Sequence, residues 1–244
     1  SINLSKLNIQ SNMGNGNLTM VYRAKNGQEA TAGLDLDMED VKVEKLIALF
    51  PSIDTLVPML RSFEGVLDCQ VTATCRMDST MSLIMPSINS SCYLHGDNMV
   101  LLDGETFTEI SKTLMFKNKK RNMIDSISVD LAIKDNKIEV FPFLVEMDRY
   151  KVAVGGTHNL DMTFNYHLSV LKSPVPFKLG IDITGNLDDF KYKITKPAKQ
   201  AELDSTRKNI RKDIRNAVRK QIEEAAPELG KNLALVRAAE RREP

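Results

Sequence analysis

The sequence predicts a mainly β protein of the α+β class. We expect one large, curved, antiparallel meander sheet with short helices packed on one face, followed by a C-terminal helical tail. Apolar and polar residues alternate through much of residues 1–197, which is the period of a half-buried strand. Beyond Pro197 the pattern becomes basic and helical. We therefore divide the chain into an antiparallel sheet domain, 1–197, and a basic amphipathic helical tail, 198–244.

The strongest alternation lies in residues 126–194. The first strand of this stretch carries its apolar side chains on one side, at Ile127, Val129, Leu131 and Ile133. Asp135 and Asn136 then favour a turn, because both residue types tolerate left-handed backbone angles. A second strand is expected over residues 137–145, so the two strands form an antiparallel hairpin.

Two more strand patterns complete the stretch. A strand is expected from Asn159 to Leu171, with its apolar residues at Leu160, Met162, Phe164, Tyr166, Leu168 and Val170. A final hairpin is expected from Lys178 to Ile194. Such a meander has one apolar face and one polar face, so the functional question is what contacts the apolar face.

The N-terminal part begins with a hairpin, whose strands are expected at residues 17–24 and 30–38. The apolar spacing then becomes helical, and Asp40 is expected to cap a helix that ends at Pro51. Another short helix is expected to follow, so that the helices lie near residues 41–62. Their apolar sides are expected to pack on the apolar face of the sheet.

Alternation resumes at Gly65–Met77 and is expected to continue through Met85, where Pro86 limits the strand. A further strand is expected over Cys92–Leu102. A short amphipathic helix is expected near residues 105–116, again with one apolar side.

The tail carries a narrow apolar stripe among many basic residues. The stripe consists of Leu203, Ile210, Ile214, Val218 and Ile222. A stripe this narrow fits one partner surface, so we expect the tail to pack on its own domain or to mediate self-association. A membrane-surface helix is disfavoured, because the chain has no Trp and the tail has no aromatic residue.

Two basic clusters are candidates for contact with a partner or a lipid headgroup. They are Lys119, Lys120 and Arg121 in a loop, and Arg207, Arg211, Arg215 and Arg219 in the tail. The net charge of the whole chain is only +1. No overall field therefore attracts nucleic acid, and no nucleic-acid partner is expected.

The chain lacks the apolar run of about 18 to 20 residues that a membrane span needs. Its first residues show no signal peptide and no initiator Met, so we interpret the chain as a piece of a longer polypeptide. The three cysteines are too few for a disulfide scaffold and are expected to be buried thiols. Cys92 could pair with Cys69 or Cys75 only across neighbouring strands.

No catalytic or metal-binding motif occurs in the sequence. The three histidines, His95, His158 and His167, form no paired metal-ligand spacing, and no Cys-x-x-Cys is present. Nucleophile-elbow, P-loop and dinucleotide-binding motifs are also missing. We therefore expect a protein that is not an enzyme, with no catalytic residue, no cofactor and no metal site, and we interpret His167 as a surface residue.

The order of the elements resembles a known family. A helical segment precedes Gly65-Val-Leu-Asp-Cys, and later come Leu101-Leu-Asp-Gly104 and the strands around Ile133-Lys-Asp-Asn-Lys-Ile-Glu-Val140. The remaining matches are Tyr150-Lys-Val-Ala-Val-Gly-Gly156, Leu160-Asp-Met-Thr-Phe-Asn-Tyr166 and Ile183-Thr-Gly-Asn-Leu187. Over about residues 30–196 this cadence resembles the C-terminal, periplasmic region of AsmA-like proteins of Gram-negative bacteria.

The resemblance implies a setting and a function. AsmA-like proteins are anchored in the inner membrane by an N-terminal helix, face the periplasm and are linked to outer-membrane biogenesis. They are regarded as bridge-like lipid carriers with an apolar groove in a long curved sheet. The expectation is that this chain lies on the periplasmic face of the cell envelope, in a longer protein whose membrane anchor is absent from this chain.

The resemblance also implies a site. The expected activity is non-enzymatic binding or transfer of phospholipid or another acyl lipid. The residues expected to line the groove are Ile127, Val129, Leu131, Ile133, Met162, Phe164, Tyr166 and Leu168. The alternative is a structural or interaction module of a larger envelope protein, which docks its partners through the C-terminal helix.

Overall fold

A computed structural model describes nine segments of the chain and two single tail residues. The segments are 2–11, 14–25, 29–49, 58–80, 82–101, 122–147, 150–173, 178–186 and 189–198, and the single residues are Asn216 and Lys220. The predicted helix near 105–116, the basic loop at 119–121 and nearly all of the predicted tail lie outside this part. Asn216 and Lys220 both have helical backbone and are exposed.

The described residues form one sheet of twelve strands. The strands are β1 (Ile2–Ser11), β2 (Gly14–Lys25), β3 (Glu29–Lys42), β4 (Phe63–Glu64), β5 (Val66–Met77), β6 (Asn89–Leu101), β7 (Asn122–Lys134), β8 (Lys137–Met147), β9 (Tyr150–Asn159), β10 (Phe164–Lys172), β11 (Leu179–Gly185) and β12 (Phe190–Thr195). The helical elements are α1 (Val43–Leu49) and two 3-10 helices, Pro58–Ser62 and Met85–Ser87.

The strands lie side by side in chain order. The path runs from β1 through β2, β3 and β5 to β12, with the short strand β4 paired to β6. Every pairing is antiparallel. The predicted antiparallel meander is therefore confirmed for the described residues.

The period of two gives the sheet one apolar face and one outer face. In the row that crosses β3, β5 and β6, the apolar residues Leu36, Val71 and Cys92 are register neighbours. The adjacent row carries Asp35 and Thr72, whose side chains are joined by a hydrogen bond of 2.7 Å. Alternation thus separates the two chemistries onto opposite sides of the same strands.

The helices near residues 43–62 cover part of the apolar face. Val43 and Leu46 of α1, with Leu60 of the first 3-10 helix, are buried in one cluster with sheet residues such as Val41. The Val43 N–H donates to the Gly65 carbonyl at 3.1 Å, which holds the start of α1 beside the start of β5. Short helices therefore pack on one face, as predicted. Among the described helices, none has the length and apolar character needed to cross a membrane.

The predicted helix cap at Asp40 is wrong. Strand β3 continues to Lys42, and its pairing with β5 shifts between Met38 and Val41, so the extra residues form a bulge. Asp40 lies in this bulge with φ +57, and its N–H donates to Asp68 Oδ1 at 3.1 Å. Pairing of β3 with β5 thus outweighs the local capping preference of Asp.

Two predicted strands are shorter than expected, because an aspartate forms a turn in each. Met162 was expected on a strand from Asn159, but it lies in a turn with φ +70. Asp161 Oδ1 accepts hydrogen bonds from the Thr163 N–H at 3.0 Å and from Thr163 Oγ1 at 2.6 Å, and these bonds lower the Asp161 pKa. Strand β10 consequently begins at Phe164.

A second aspartate turn ends β5 at Met77, so the predicted continuation through Met85 is wrong. Asp78 Oδ1 accepts from the Thr80 side chain at 2.7 Å, from the Thr80 N–H at 2.8 Å and from the Ser82 N–H at 2.9 Å. Beyond the turn, a single bridge pairs Met77 with Leu83.

Leu46→Ala tests how much the packing of α1 on the apolar face contributes to the free energy of unfolding. Leu46 is 1% exposed, and truncation of such a side chain costs about 2 to 5 kcal/mol of unfolding free energy. Lys45→Ala, on the exposed side of the same helix, is expected to change it by less than about 0.5 kcal/mol. Urea unfolding measures both, and equal effects would show that α1 does not pack as described.

Candidate functional site: an apolar groove

The apolar face borders a partly open cavity of about 80 Å³. Its walls come from strands β4 to β10 and from the first 3-10 helix. The lining residues are Leu60, Phe63, Leu67, Leu94, His95, Gly96, Met99, Ile127, Val129, Leu131, Ile138, Val140, Phe143, Val154 and Tyr166. A single water needs only about 10 to 15 Å³ by the same kind of measure, so the cavity has room for a chain of several heavy atoms.

The cavity extends across several strands. Leu67 on β5 and Tyr166 on β10 both border it, although five strand spacings separate them. In a flat sheet that separation is about 24 Å. We call this apolar channel the groove.

Tyr166 is the one described side chain with a hydroxyl group in the lining. Burial raises its pKa to about 12. Its partner in the register is Gly156, where an added Cβ would lie 2.7 Å from Tyr166 Cδ1. Glycine at this position lets the ring lie close against β9. His95 points to the outer face instead, where its Nδ1 is 2.8 Å from Ser128 Oγ.

Four of the eight predicted groove residues line the cavity: Ile127, Val129, Leu131 and Tyr166. Ile133 is buried in a neighbouring apolar cluster that also contains Ile88. Phe164 and Leu168 belong to another cluster on the same face, around Ile181 and Ile183. Met162 lies in the β9–β10 turn, and the predicted basic contact residues at 119–121 and 207–219 lie outside the described residues.

Several lining residues were not singled out from the sequence. Phe143 reaches the groove because the register of β8 shifts between Val140 and Phe143. Strict alternation from Val140 would have placed Pro142 and Leu144 on the apolar face instead. Nothing in the local sequence marks a bulge there, except that Pro142 cannot donate to the ladder.

The cysteines lie on the apolar face and are free thiols. Cys69 on β5 is close to Cys92 on β6, where a hydrogen bond between the thiols, followed by burial, raises the Cys92 pKa well above its usual range. Burial also raises the Cys75 pKa. The thiols of Cys75 and Cys92 are therefore protonated at neutral pH, and all three cysteines pack as small apolar groups.

A polar relay lies on the outer face of β10 and β11. Asp182 Oδ1 is 2.5 Å from His167 Nδ1, and His167 Nε2 is 2.9 Å from Ser169 Oγ. A serine nucleophile needs an accessible oxygen, but Ser169 is 1% exposed and accepts a hydrogen bond from the Ala198 N–H at 2.8 Å. The relay thus ties the chain after β12 to β10. His167, interpreted as a surface residue, is half-buried within it.

Metal ligands are not clustered in the described residues. No group of three or more His, Cys, Asp or Glu side chains there is placed to hold a metal ion. The Tyr93 and His95 rings stack with 6.4 Å between centroids, and the His95 Nε2 is 3.5 Å from Asp97 Oδ2. His95 therefore belongs to a local polar network on the outer face.

The Tyr166 pKa gives a pH test of the buried groove. The folded pKa of about 12 exceeds the unfolded value of about 10, so folding favours the neutral phenol. The associated stability is fully present below pH 10 and is lost as the pH rises towards 12. Wild type is expected to lose roughly 2 kcal/mol of unfolding free energy from this group over that window.

Denaturant unfolding between pH 9 and 12 measures the loss. Tyr166→Phe is expected to lack this part of the decline, whereas Tyr192→Phe, at an exposed tyrosine, is expected to keep it. A Tyr166→Phe protein with the wild-type pH profile would show that the Tyr166 phenol is solvated.

Ser169→Ala tests the tether on the outer face. The substitution removes the acceptor for the Ala198 N–H and a partner of His167, and unsatisfied buried groups cost about 1 to 3 kcal/mol. Ser126→Ala, at an exposed position on β7, is the control and is expected to be nearly neutral. If urea unfolding gives the two variants the same stability, the relay does not hold the chain end.

Comparison with known proteins adds no relative. No family model, no curated protein and no solved structure matches the chain.

Proposed function

We propose that the protein binds acyl lipid, with phospholipid as the expected class, and that the groove is the binding site. The observation that supports this most is the cavity of about 80 Å³ with an almost wholly apolar lining. A long hydrocarbon chain is the ligand that such a lining suits, because it makes no demand for hydrogen bonds.

The apolar face continues beyond the cavity. Phe164, Leu168 and Phe190 pack in a second cluster on the same face, towards the edge strand β12. On β12 itself, Tyr192 is 52% exposed and Ile194 is 62% exposed. An apolar path therefore runs from the cavity to an exposed edge, and exposed apolar surface of this kind marks contact with a ligand or a partner.

The energetics favour long chains. Each buried methylene stabilises the complex by about 0.8 kcal/mol, so a few methylenes are enough to retain a lipid. The described lining offers no charged side chain to a headgroup, and a charged group inside would lose its hydration without compensation. The headgroup is expected to remain outside while the acyl chain occupies the groove.

The same arrangement suits transfer. A chain that moves along the groove exchanges one apolar contact for another and, among the described residues, passes only the Tyr166 hydroxyl. The process needs no covalent step, so the proposed function is non-enzymatic. The resemblance to AsmA-like proteins agrees with it, and we place the chain in the periplasmic part of a longer envelope protein on that basis.

Fluorescence titration with 11-(dansylamino)undecanoic acid tests the proposal. Wild type is expected to bind this probe with a blue-shifted emission. Val129→Asp introduces a carboxylate into the lining and is expected to cost about 1.4 kcal/mol or more of binding free energy. The probe is therefore expected to bind at least tenfold more weakly. Ser126→Asp, on the same strand but exposed, is the matched control and is expected to bind like wild type.

Val129→Phe is a second variant, which fills the cavity without adding charge. It is expected to weaken binding while the protein remains folded, as judged by circular dichroism. Native mass spectrometry of protein incubated with phosphatidylethanolamine vesicles then checks for bound phospholipid. Equal probe affinities for wild type, Val129→Asp and Val129→Phe would rule out the groove as the site.

A further inference from the structure

Tyr166 brings a hydrogen-bond donor into a lining that is otherwise apolar. Burial is the only cause of its raised pKa, and no hydrogen bond contributes to the shift. Among the described residues, none pairs with the Tyr166 hydroxyl. The buried hydroxyls of Ser169 and Thr72 on the outer face, by contrast, have partners at 2.8 Å and 2.7 Å. A half-buried hydroxyl without a protein partner is available to a ligand.

The ring of Tyr166 is directed towards the cavity. In the register, Gly156 on β9 lies between Tyr166 on β10 and Val140 on β8. A Cβ on Gly156 would be 2.7 Å from Tyr166 Cδ1, so the ring leans over β9 at a residue that has no side chain. Val140, on the next strand, borders the cavity. The hydroxyl at the far end of the ring therefore faces the cavity.

Tyr166 also marks one end of the cavity. The other lining residues belong to strands β4 to β9 or to the first 3-10 helix, so β10 is the lining strand nearest to the edge strand β12. A lipid with its acyl chain in the cavity and its headgroup at this edge places the junction between them near β10. In an acyl lipid that junction is the carbonyl group that joins the chain to the headgroup.

The carbonyl of an ester-linked acyl chain is chemically matched to the Tyr166 hydroxyl. A carbonyl oxygen only accepts hydrogen bonds, whereas a phenol hydroxyl donates one. The raised pKa of about 12 keeps the phenol neutral, so it retains its proton at physiological pH. His95, the other polar side chain of the described lining, is held on the outer face beside Ser128. A carboxylate would need a cation that the described lining does not offer.

We propose that Tyr166 donates a hydrogen bond to the carbonyl of a neutral, ester-linked acyl lipid, and that this bond selects such lipids over ether-linked ones. The inference rests on the proposed function of the groove and names the class of lipid that the groove takes. The bond also sets how far the lipid enters, because the carbonyl stops at β10 while the chain continues into the cavity. Tyr166 is thus a specificity-determining residue of the site.

The size of the preference follows from the energetics of one neutral hydrogen bond. Because the ester carbonyl and the phenol both give up a bond to water, the net gain is modest, and the ester is expected to bind about three- to tenfold more tightly. An ether of the same chain length buries the same methylenes. It therefore keeps the apolar part of the affinity and loses only the bond to Tyr166.

A comparison of two matched lipids tests the inference. 1-Dodecanoylglycerol and 1-O-dodecylglycerol share headgroup and chain length and differ by the ester carbonyl. Displacement of 11-(dansylamino)undecanoic acid by each lipid gives the two affinities. Wild type is expected to prefer the ester by about three- to tenfold. Tyr166→Phe is expected to bind both lipids alike, whereas Tyr192→Phe, at an exposed tyrosine of β12, is expected to keep the preference.

The outcomes separate this inference from the proposed function. If wild type binds neither the probe nor the two lipids, the proposed function fails. If wild type binds the probe and both lipids with equal affinity, the inference alone is overturned. A preference that persists in Tyr166→Phe shows that another group recognises the carbonyl, and this result also overturns the inference. The preference is a ratio within each protein, so a general loss of affinity in a variant does not imitate it.

Infrared spectroscopy gives a second readout that needs no variant. Dodecanoylglycerol labelled at the carbonyl carbon is bound to wild type, and its carbonyl stretch is compared with that of the same lipid in dry alkane. A hydrogen bond in the groove is expected to move the band to lower wavenumber. A band at the alkane position shows a carbonyl without a donor and overturns the inference.

Discussion

The register between neighbouring strands is the constraint on which this molecule depends. Side chains alternate with a period of two, so a slip of one residue in any strand would move its apolar residues to the wrong face. Hairpin turns hold the register at several points. Asp135 and Asn136, with φ values of +51 and +62, connect β7 and β8 in two residues and align Lys134 with Lys137. The groove exists because this alignment is maintained from strand to strand.

The β8 bulge changes the strand register at one point. The register shift between Val140 and Phe143 lets the strand change which residues it shows to each side. Phe143 is thereby placed in the groove lining, and Phe141 on the outer face. One irregularity thus serves two surfaces. The bulge also bends the strand, next to the cavity that Leu67 and Tyr166 both line.

Most of the architecture could be predicted from the sequence, because it follows from the local alternation of apolar and polar residues. The strands around Ile127–Ile133 and Phe164–Val170 follow from their period, and their position on one apolar face follows from the meander. The errors at Asp40 and Met162 have a common origin. Whether an aspartate caps a helix, sits in a bulge or forms a turn depends on partners such as Asp68 and Thr163, which local pattern does not identify.

The site was less predictable than the fold. Val129 and Tyr166 were expected in the groove, but Phe63, Met99 and Phe143 were not, and Phe143 enters it through the β8 bulge. Such a bulge depends on pairing between strands, which local alternation does not reveal. Phe141 is similar, since it looks like any apolar residue of a strand until the register shows which side it occupies.

The sequential strand order has a consequence for how such a sheet assembles and grows. Nearly every strand pairs with its neighbours in the chain, so most β pairings close short loops. Chains dominated by local contacts fold faster than those that must first bring distant segments together. A hairpin added at either end would extend the sheet without any change to the existing connections. The number of strands, and with it the length of the channel, can therefore change while the cross-section of the channel stays the same.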